Sequence, residues 1–429
     1  MKTVIKFLVL IYLLLPLGNL SKAQKPKAAA FSFNYAAKPE EVGFSAKRLG
    51  YLDSLLSYYV QSGAMPNAVI FIYRNGKVVQ HKVYGYKNIA SKQLLKKDDI
   101  FRIASQTKAL TSVGLMMLYE KGKFLLDDAV SMYIPEFKNL QVLVSSSNDS
   151  PYTTRPAKSE ITIRQLLTHT SGIPYGNAIY KSAKIPSINS LGEETIGQVV
   201  KRLAKLPLEH DPGEKFTYGL NTDVLGYLIE VLSGMPLDKY FQQNIFTPLG
   251  MKDSYFYLPK EKADRLVTLY SKDNMNSPLY VSIDSANQYY PIGGAQKYFC
   301  GGAGVVGPIE DYAKFCVMLL NGGRFNGMQV IGRKTIDLMT INQIGDLEVW
   351  DTHDKFGLGF QLFTPEGLAH VPGSVGAFKW GGAYSTDYTI DPTENMIMLI
   401  YTNVLPFANP DINKRFRVMV YQALTAQKK

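Results

Sequence analysis

Phe101-Arg-Ile-Ala-Ser105-Gln-Thr-Lys108 joins a polar turn to the apolar run Ala109 to Tyr119. That run has helical spacing and no proline. Ser105 therefore falls in the first turn of a predicted helix, and Lys108, three residues on, shares its face. A serine hydroxyl is a weak nucleophile until a base stands beside it. A lysine serves as that base when burial, a neighbouring cation or a helix dipole lowers its pKa. The helix N-terminus also points backbone N–H groups toward a developing oxyanion. The tetrad alone is weak evidence, because a solvated Ser and Lys on a surface helix carry the same spacing. Its place at a helix start gives it weight.

On the N-terminal side, Ser45 to Ser62 sets Leu49, Leu52, Leu55, Leu56 and Tyr59 at helical intervals, which predicts a helix laid on a core. Ala68-Val-Ile-Phe-Ile-Tyr-Arg and Lys77-Val-Val-Gln-His-Lys-Val-Tyr are β-rich and flank Asn75-Gly76. Asn-Gly favours the left-handed conformations of a two-residue hairpin. On the C-terminal side, Tyr384 to Ile390 and Met396 to Tyr401 are β-rich around Asp391-Pro-Thr-Glu-Asn, and Asp411 to Leu424 has helical spacing. Helical runs broken by Gly and Pro dominate the middle, Ile309 to Leu320 among them. The expectation is an α+β domain over residues 41–429: one antiparallel sheet from both ends of the chain, flanked by helices, with a mainly helical subdomain over about residues 120–350. Ser145 to Ser159 and Ser271 to Gln296 read as pocket-shaping loops.

Lys2 and Lys6 precede the apolar run Phe7 to Leu17, and Ser21-Lys22-Ala23 ends in small residues. This is the layout of a secretory signal peptide over residues 1–23, so a periplasmic or secreted protein is expected. The run is about half the roughly 20 residues of a membrane-spanning helix, and no later segment is long enough. Residues 24–40, rich in Lys, Ala and Pro, read as a flexible lead. With 46% hydrophobic and 19% charged residues, the chain can bury a large core. Its formal charge of +11 suits anionic surroundings, but no Lys/Arg block is dense enough for a nucleic-acid patch. Cys300 and Cys316 lack metal-site spacing, and either pairing or a buried free thiol fits them. The five His are scattered. No metal and no organic cofactor is expected.

Several segments, in their joint order, resemble the serine β-lactamase superfamily over about residues 40–425, in particular the branch of class C β-lactamases, DD-peptidases and β-lactamase-like esterases. They are the Ser105-to-Lys108 tetrad, Ile163-Arg-Gln-Leu-Leu-Thr-His169-Thr-Ser-Gly172-Ile, Asp211-Pro-Gly-Glu-Lys-Phe-Thr-Tyr218 with Asp223-Val-Leu-Gly226, and Cys300-Gly-Gly-Ala-Gly304 with Asp311-Tyr-Ala-Lys-Phe315. The resemblance implies a β-lactamase/transpeptidase-like fold and a covalent acyl-enzyme at Ser105. Lys108 takes the hydroxyl proton, and Tyr218, which matches the family tyrosine, assists. Tyr-x-Asn is usual there; here the run is Tyr218-Gly219-Leu220-Asn221, so Asn221, the candidate for the acyl side-chain amide, is displaced by one residue. In place of Lys-Thr-Gly stands Phe378-Lys379-Trp380-Gly381-Gly382-Ala383. One alignment uses Trp380, Gly381 and Gly382 against substrate and puts the Ala383 N–H in the oxyanion hole with that of Ser105. The other sets Lys379 in the pocket and uses Gly382. The first keeps family-like order downstream, and a pocket Trp suits an apolar acyl or alcohol group. His169 sits in a segment that resembles a structural family turn, and His81 lies on a strand; neither is read as the base.

The expected activity is therefore a serine hydrolase, esterase-like, acting on small-molecule esters or related acyl compounds. A class C-like β-lactamase or a D-amino-acid peptidase acting on amide, β-lactam or cell-wall peptide substrates stands as an alternative. So does a non-catalytic protein that binds cell-wall fragments.

Overall fold

Asn75 and Gly76 both adopt positive φ (49° and 84°), the pair that closes a two-residue hairpin. They join β1 (Asn67–Arg74) to β2 (Lys77–Asn88). This computed structural model describes residues 31–147, 150–186, 189–274, 276–405 and 411–425, so the proposed signal segment lies outside the described residues. Beyond the hairpin come β3 (Gln93–Leu94), β4 (Lys355–Phe356), β5 (Gln361–Leu362), β6 (Phe378–Gly382), β7 (Thr386–Asp391) and β8 (Met396–Tyr401). The eight strands form one sheet in the order β4-β5-β6-β7-β8-β1-β2-β3, antiparallel throughout. The two ends of the chain meet at its centre, where Val69 of β1 faces Tyr401 of β8.

Five helices matter for the site: α1 (Ala46–Gln61), α2 (Thr107–Tyr119), α3 (Asn221–Ser233), α4 (Ile309–Leu320) and α5 (Ile412–Tyr421). Ser45 caps α1 by accepting the Arg48 N–H at 3.3 Å. Leu49, Leu52 and Leu56 of α1 and Phe416 and Val420 of α5 cover one sheet face, against Ile70, Ile72, Met398 and Ile400. Each such buried side chain contributes about 2 kcal/mol. α4 covers the other face. Covered on both faces, β1 and β8 are buried along their whole length, with apolar side chains from Ala68 to Tyr73 and from Met396 to Tyr401 rather than alternating ones. Within the interior, α2 is buried from Thr107 to Leu118 and packs on α3.

Two expectations need correcting. Residues 33–40 are not a free lead: Val78 accepts the Ala36 N–H at 2.9 Å and donates to the Asn34 carbonyl at 2.7 Å. Phe33 anchors this segment 4.9 Å from the Phe71 ring, because an apolar side chain two residues from a strand edge has somewhere to bury. The stretch read as a loop from Ser145 to Ser159 is mostly a β-hairpin, Gln141–Ser147 paired with Ser150–Pro156. The second presumed loop holds only a short strand pair (Tyr270–Ser271 with Tyr280–Val281) and the helix Ser285–Tyr289. Cys300 and Cys316 are both buried free thiols. Among the described residues, no helix is long and apolar enough to cross a membrane.

Candidate active site

The chain enters the site through Phe101–Arg102, a short strand paired with Val306–Gly307. Ala104 then takes φ +43°, unusual for a residue with a side chain, and Ala104–Gln106 makes a tight helical turn ahead of α2. Ser105 thus lies just before the α-helix rather than in its first full turn. Holding such a conformation costs of order 1 kcal/mol, and the surroundings impose it. Gln106 receives the Tyr401 hydroxyl on its side-chain oxygen at 2.7 Å and the Tyr312 hydroxyl on its carbonyl at 2.9 Å. Thr107 Oγ1 accepts the Val305 N–H at 3.1 Å, and Thr386 Oγ1 donates to the Ile103 carbonyl at 3.3 Å. The nucleophile candidate is clamped between the sheet and the segment around Gly302.

Lys108 Nζ lies 3.3 Å from Ser105 Oγ, 2.7 Å from the Tyr175 hydroxyl and 2.8 Å from the Gly302 carbonyl. Three acceptors match the three protons of an ammonium group. Burial works to lower the Lys108 pKa, but the Tyr175 and Tyr218 hydroxyls and the Asp223 carboxylate outweigh it, and the net shift is upward. The sequence reading required a lowered pKa at Lys108; the site does the opposite, because Tyr175, Tyr218 and Asp223 around the ammonium outweigh burial. Asp223 accepts the Gly302 N–H and the Cys300 thiol (3.0 Å), and burial raises its own pKa. One residue, Gly302, therefore links the two charged groups: its carbonyl accepts a hydrogen bond from Lys108 and its N–H donates one to Asp223. This needs close backbone approach. A Cβ at Gly301 would stand 2.6 Å from the Thr222 carbonyl and 3.0 Å from Gly226 Cα, so two glycines let α3 touch the loop.

Tyr218 presents its ring to Lys108, with Nζ 4.9 Å from the centroid. Its hydroxyl accepts the Trp380 indole N–H at 3.3 Å. His169 packs on the other side of that ring at 4.8 Å. Burial first, then Lys108, holds His169 well below the usual imidazole range, so it is neutral and positions Tyr218. His81 is also buried, which pushes its pKa down to about 4.

Ser105, Tyr218, Trp380, Gly381, Gly382 and Ala383 line one cavity of about 310 Å³. Lys379 and Trp380 alternate along β6, and the Trp380 contact with Tyr218 favours the Trp-Gly-Gly alignment. Lys379 still reaches the cavity rim; burial and Arg417 push its pKa down to about 8. Asn221 does not reach the cavity. It is the first residue of α3 and fully buried, with its amide donating to His169 Nδ1 (3.0 Å) and the Ile173 carbonyl (3.2 Å) and accepting from Ser171 Oγ. Entry into a helix rotates it inward, so it is a structural tie. Asn221→Ala is expected to lower unfolding free energy by about 2–4 kcal/mol, read by chemical denaturation, because several buried partners lose their bonds at once.

Sequence reasoning missed Tyr175, three residues after Gly172, where nothing periodic marks the chain. It also missed the Asp223 charge and Trp350, which lines the same cavity. A larger groove of about 620 Å³ near Thr195 and Tyr227 carries no nucleophile beside a base, and its Lys201 and Lys297 are ion-paired with Glu136 and Glu193. No cluster of three potential metal ligands occurs among the described residues.

Comparison with known proteins agrees with this geometry. The family described as Beta-lactamase matches residues 52–422. An uncharacterized protein of Mycobacterium tuberculosis, MT1414, is 29% identical over 367 residues, covering 82% of this chain and 88% of its own. A protein of Escherichia coli K12 named "Putative D-alanyl-D-alanine carboxypeptidase" is 26% identical over 430 residues, with 93% of each chain covered. Among solved structures, EstCE1, described as a hydrolase with promiscuous acyltransferase activity, has TM-score 0.73 at 25% identity, covering 90% of this chain and 99% of its own. Simvastatin synthase LovD of Aspergillus terreus shares the fold, with TM-score 0.74 at 23% identity over 88% of this chain and 98% of its own. The family match spans most of the sequence, and the chain belongs to the beta-lactamase family of serine hydrolases.

Proposed function

We propose that the protein hydrolyses carboxylic esters through a covalent acyl-Ser105 intermediate. The observation that carries this reading is the buried Ser105–Lys108 contact opening onto a cavity walled by Tyr218 and Trp380. Ser105 Oγ attacks the ester carbonyl carbon. Lys108 rests as an ammonium and donates toward Ser105, so the base is Tyr218 in its deprotonated form beside that cation: the departing serine proton passes to the phenolate oxygen, which becomes the neutral hydroxyl. The cation beneath both groups stabilises the anionic character that develops. The N–H groups of Ser105 and Ala383 face the oxyanion. Tyr218 then returns the proton to the leaving alkoxide, and water releases the acid by the reverse sequence. No step calls on a cofactor.

Trp380 beside Tyr218, and Asn221 turned into the protein, support an ester over a peptide-like amide. One observation favours the second reading, a D-amino-acid peptidase or β-lactamase. Lys379 lies over the Phe363 ring at 5.9 Å with Asp387 and Asp354 favouring its charge, and suits a substrate carboxylate at the cavity rim. A leader that directs the chain to the periplasm or outside the cell would fit either reading.

Intact-mass spectrometry after a fluorophosphonate probe tests the reading. A single adduct on the wild type, absent from Ser105→Ala, is expected. No adduct on a folded wild type would overturn the hydrolase and favour a binding protein. Turnover of benzylpenicillin in place of esters would move the second reading to first.

A further inference from the structure

Trp350 stands out by its exposure and its backbone. More than half of its surface, 54%, faces solvent, although indole is among the most apolar side chains. Its φ of +49° is left-handed, a conformation that large residues seldom adopt. The neighbouring backbone fixes it: Val349, fully buried, bonds to Asp354 through its N–H at 3.0 Å and accepts the Thr352 side chain at 2.7 Å. The indole thus projects from a tethered loop into the Ser105 cavity. There it lies nearly parallel to Trp380, with centroids 5.6 Å apart and planes at 20°. Its edge contacts are Tyr218 at 5.8 Å and Phe216 at 5.9 Å. No hydrogen bond of the Trp350 indole N–H occurs among the described residues.

We propose that Trp350 is a specificity-determining residue that packs a flat, ring-bearing part of the substrate at the mouth of the Ser105 cavity, so that esters with an aromatic acyl or alcohol group are preferred. The inference rests on the hydrolase reading for its substrate class. Two indoles that already stack have aligned faces, and a planar group meeting them gains dispersion and loses water without reorganising the site. The exposed portion of the ring is the surface such a group would cover.

The chain contains two tryptophans, and both are in this stack. Intrinsic tryptophan emission therefore reports on the cavity alone. In Ser105→Ala, which holds ester without cleaving it, benzyl acetate or ethyl benzoate is expected to change the emission saturably, and ethyl acetate at the same concentration is not. In the wild type, kcat/KM for those aromatic esters relative to ethyl acetate is measured beside Trp350→Ala and Trp350→Phe. The aromatic preference is expected to fall about tenfold or more in Trp350→Ala, mostly through KM, and to return largely in Trp350→Phe. An unchanged ratio in Trp350→Ala, or no emission response to either aromatic ester, overturns the proposal. If the wild type cleaves no ester, the hydrolase reading fails by itself, and the emission titration still decides whether Trp350 binds rings.

Discussion

Lys108→Met is expected to lower ester kcat/KM by about three to four orders of magnitude, the range for loss of a buried charge on which both proton transfer to Tyr218 and stabilisation of the developing anion depend. The methionine is close in volume, so packing around α2 changes little. What disappears is the ammonium that bonds Ser105, Tyr175 and the Gly302 carbonyl and offsets Asp223. Asp223, whose pKa burial already raises, then takes a proton, which limits the cost of leaving it unpaired. The variant should fold, judged by circular dichroism and its melting transition, and should label poorly with the fluorophosphonate. Near wild-type turnover in a folded Lys108→Met would remove lysine from the mechanism.

The second large effect is expected at Gly382. A Cβ here would come under 3.0 Å from both the Ile103 carbonyl and Thr386 Oγ1. Ile103 is two residues before the nucleophile, and Ala383 follows Gly382 directly, so this contact sets the spacing between the two amides proposed to hold the oxyanion. Gly382→Ala must push β6 away from the Ser105 turn by some tenths of an ångström or more. A misplacement near 1 Å costs about 100-fold in rate. The expected result is a fall of about that size in kcat, with the melting temperature lowered and Ser105 still present for slow labelling. Steady-state kinetics beside a melting curve check it. Unchanged kcat would mean that the Gly382–Ile103 approach does not govern the site.

Local signals were legible where one physical rule acts alone. The hairpin at Asn75-Gly76 follows from φ preferences of two residues, and Ile309 to Leu320 from the absence of breakers in an apolar run. Ser105 and Lys108 were readable because three residues on a helical turn fix their meeting. The direction of the Lys108 shift was not, since it depends on Tyr175, Tyr218 and Asp223, brought in from distant parts of the chain. Tyr218 was found through its neighbours in sequence, but its role as a ring beneath a cation and an acceptor for Trp380 depends on three separate segments. Asn221 was misplaced because the slip was judged on an extended strand, whereas the residue opens a helix. Trp350 carries no sequence signal: a lone tryptophan in a polar stretch acquires its role from the left-handed turn that aims it.

The pairing of β1 with β8 also bears on how the protein comes into being. Strands near positions 70 and 400 are neighbours at the centre of the sheet. Such a topology has high contact order, and closing so long a loop is slow. During synthesis Ser105 is made long before β6 to β8, so a growing chain holds the proposed nucleophile without the strand proposed to complete its oxyanion hole. On the proposed mechanism reactivity arises with the last strands, and until they are made the apolar residues of β1 and α2 lack their partners, the interval in which a chaperone has most to protect.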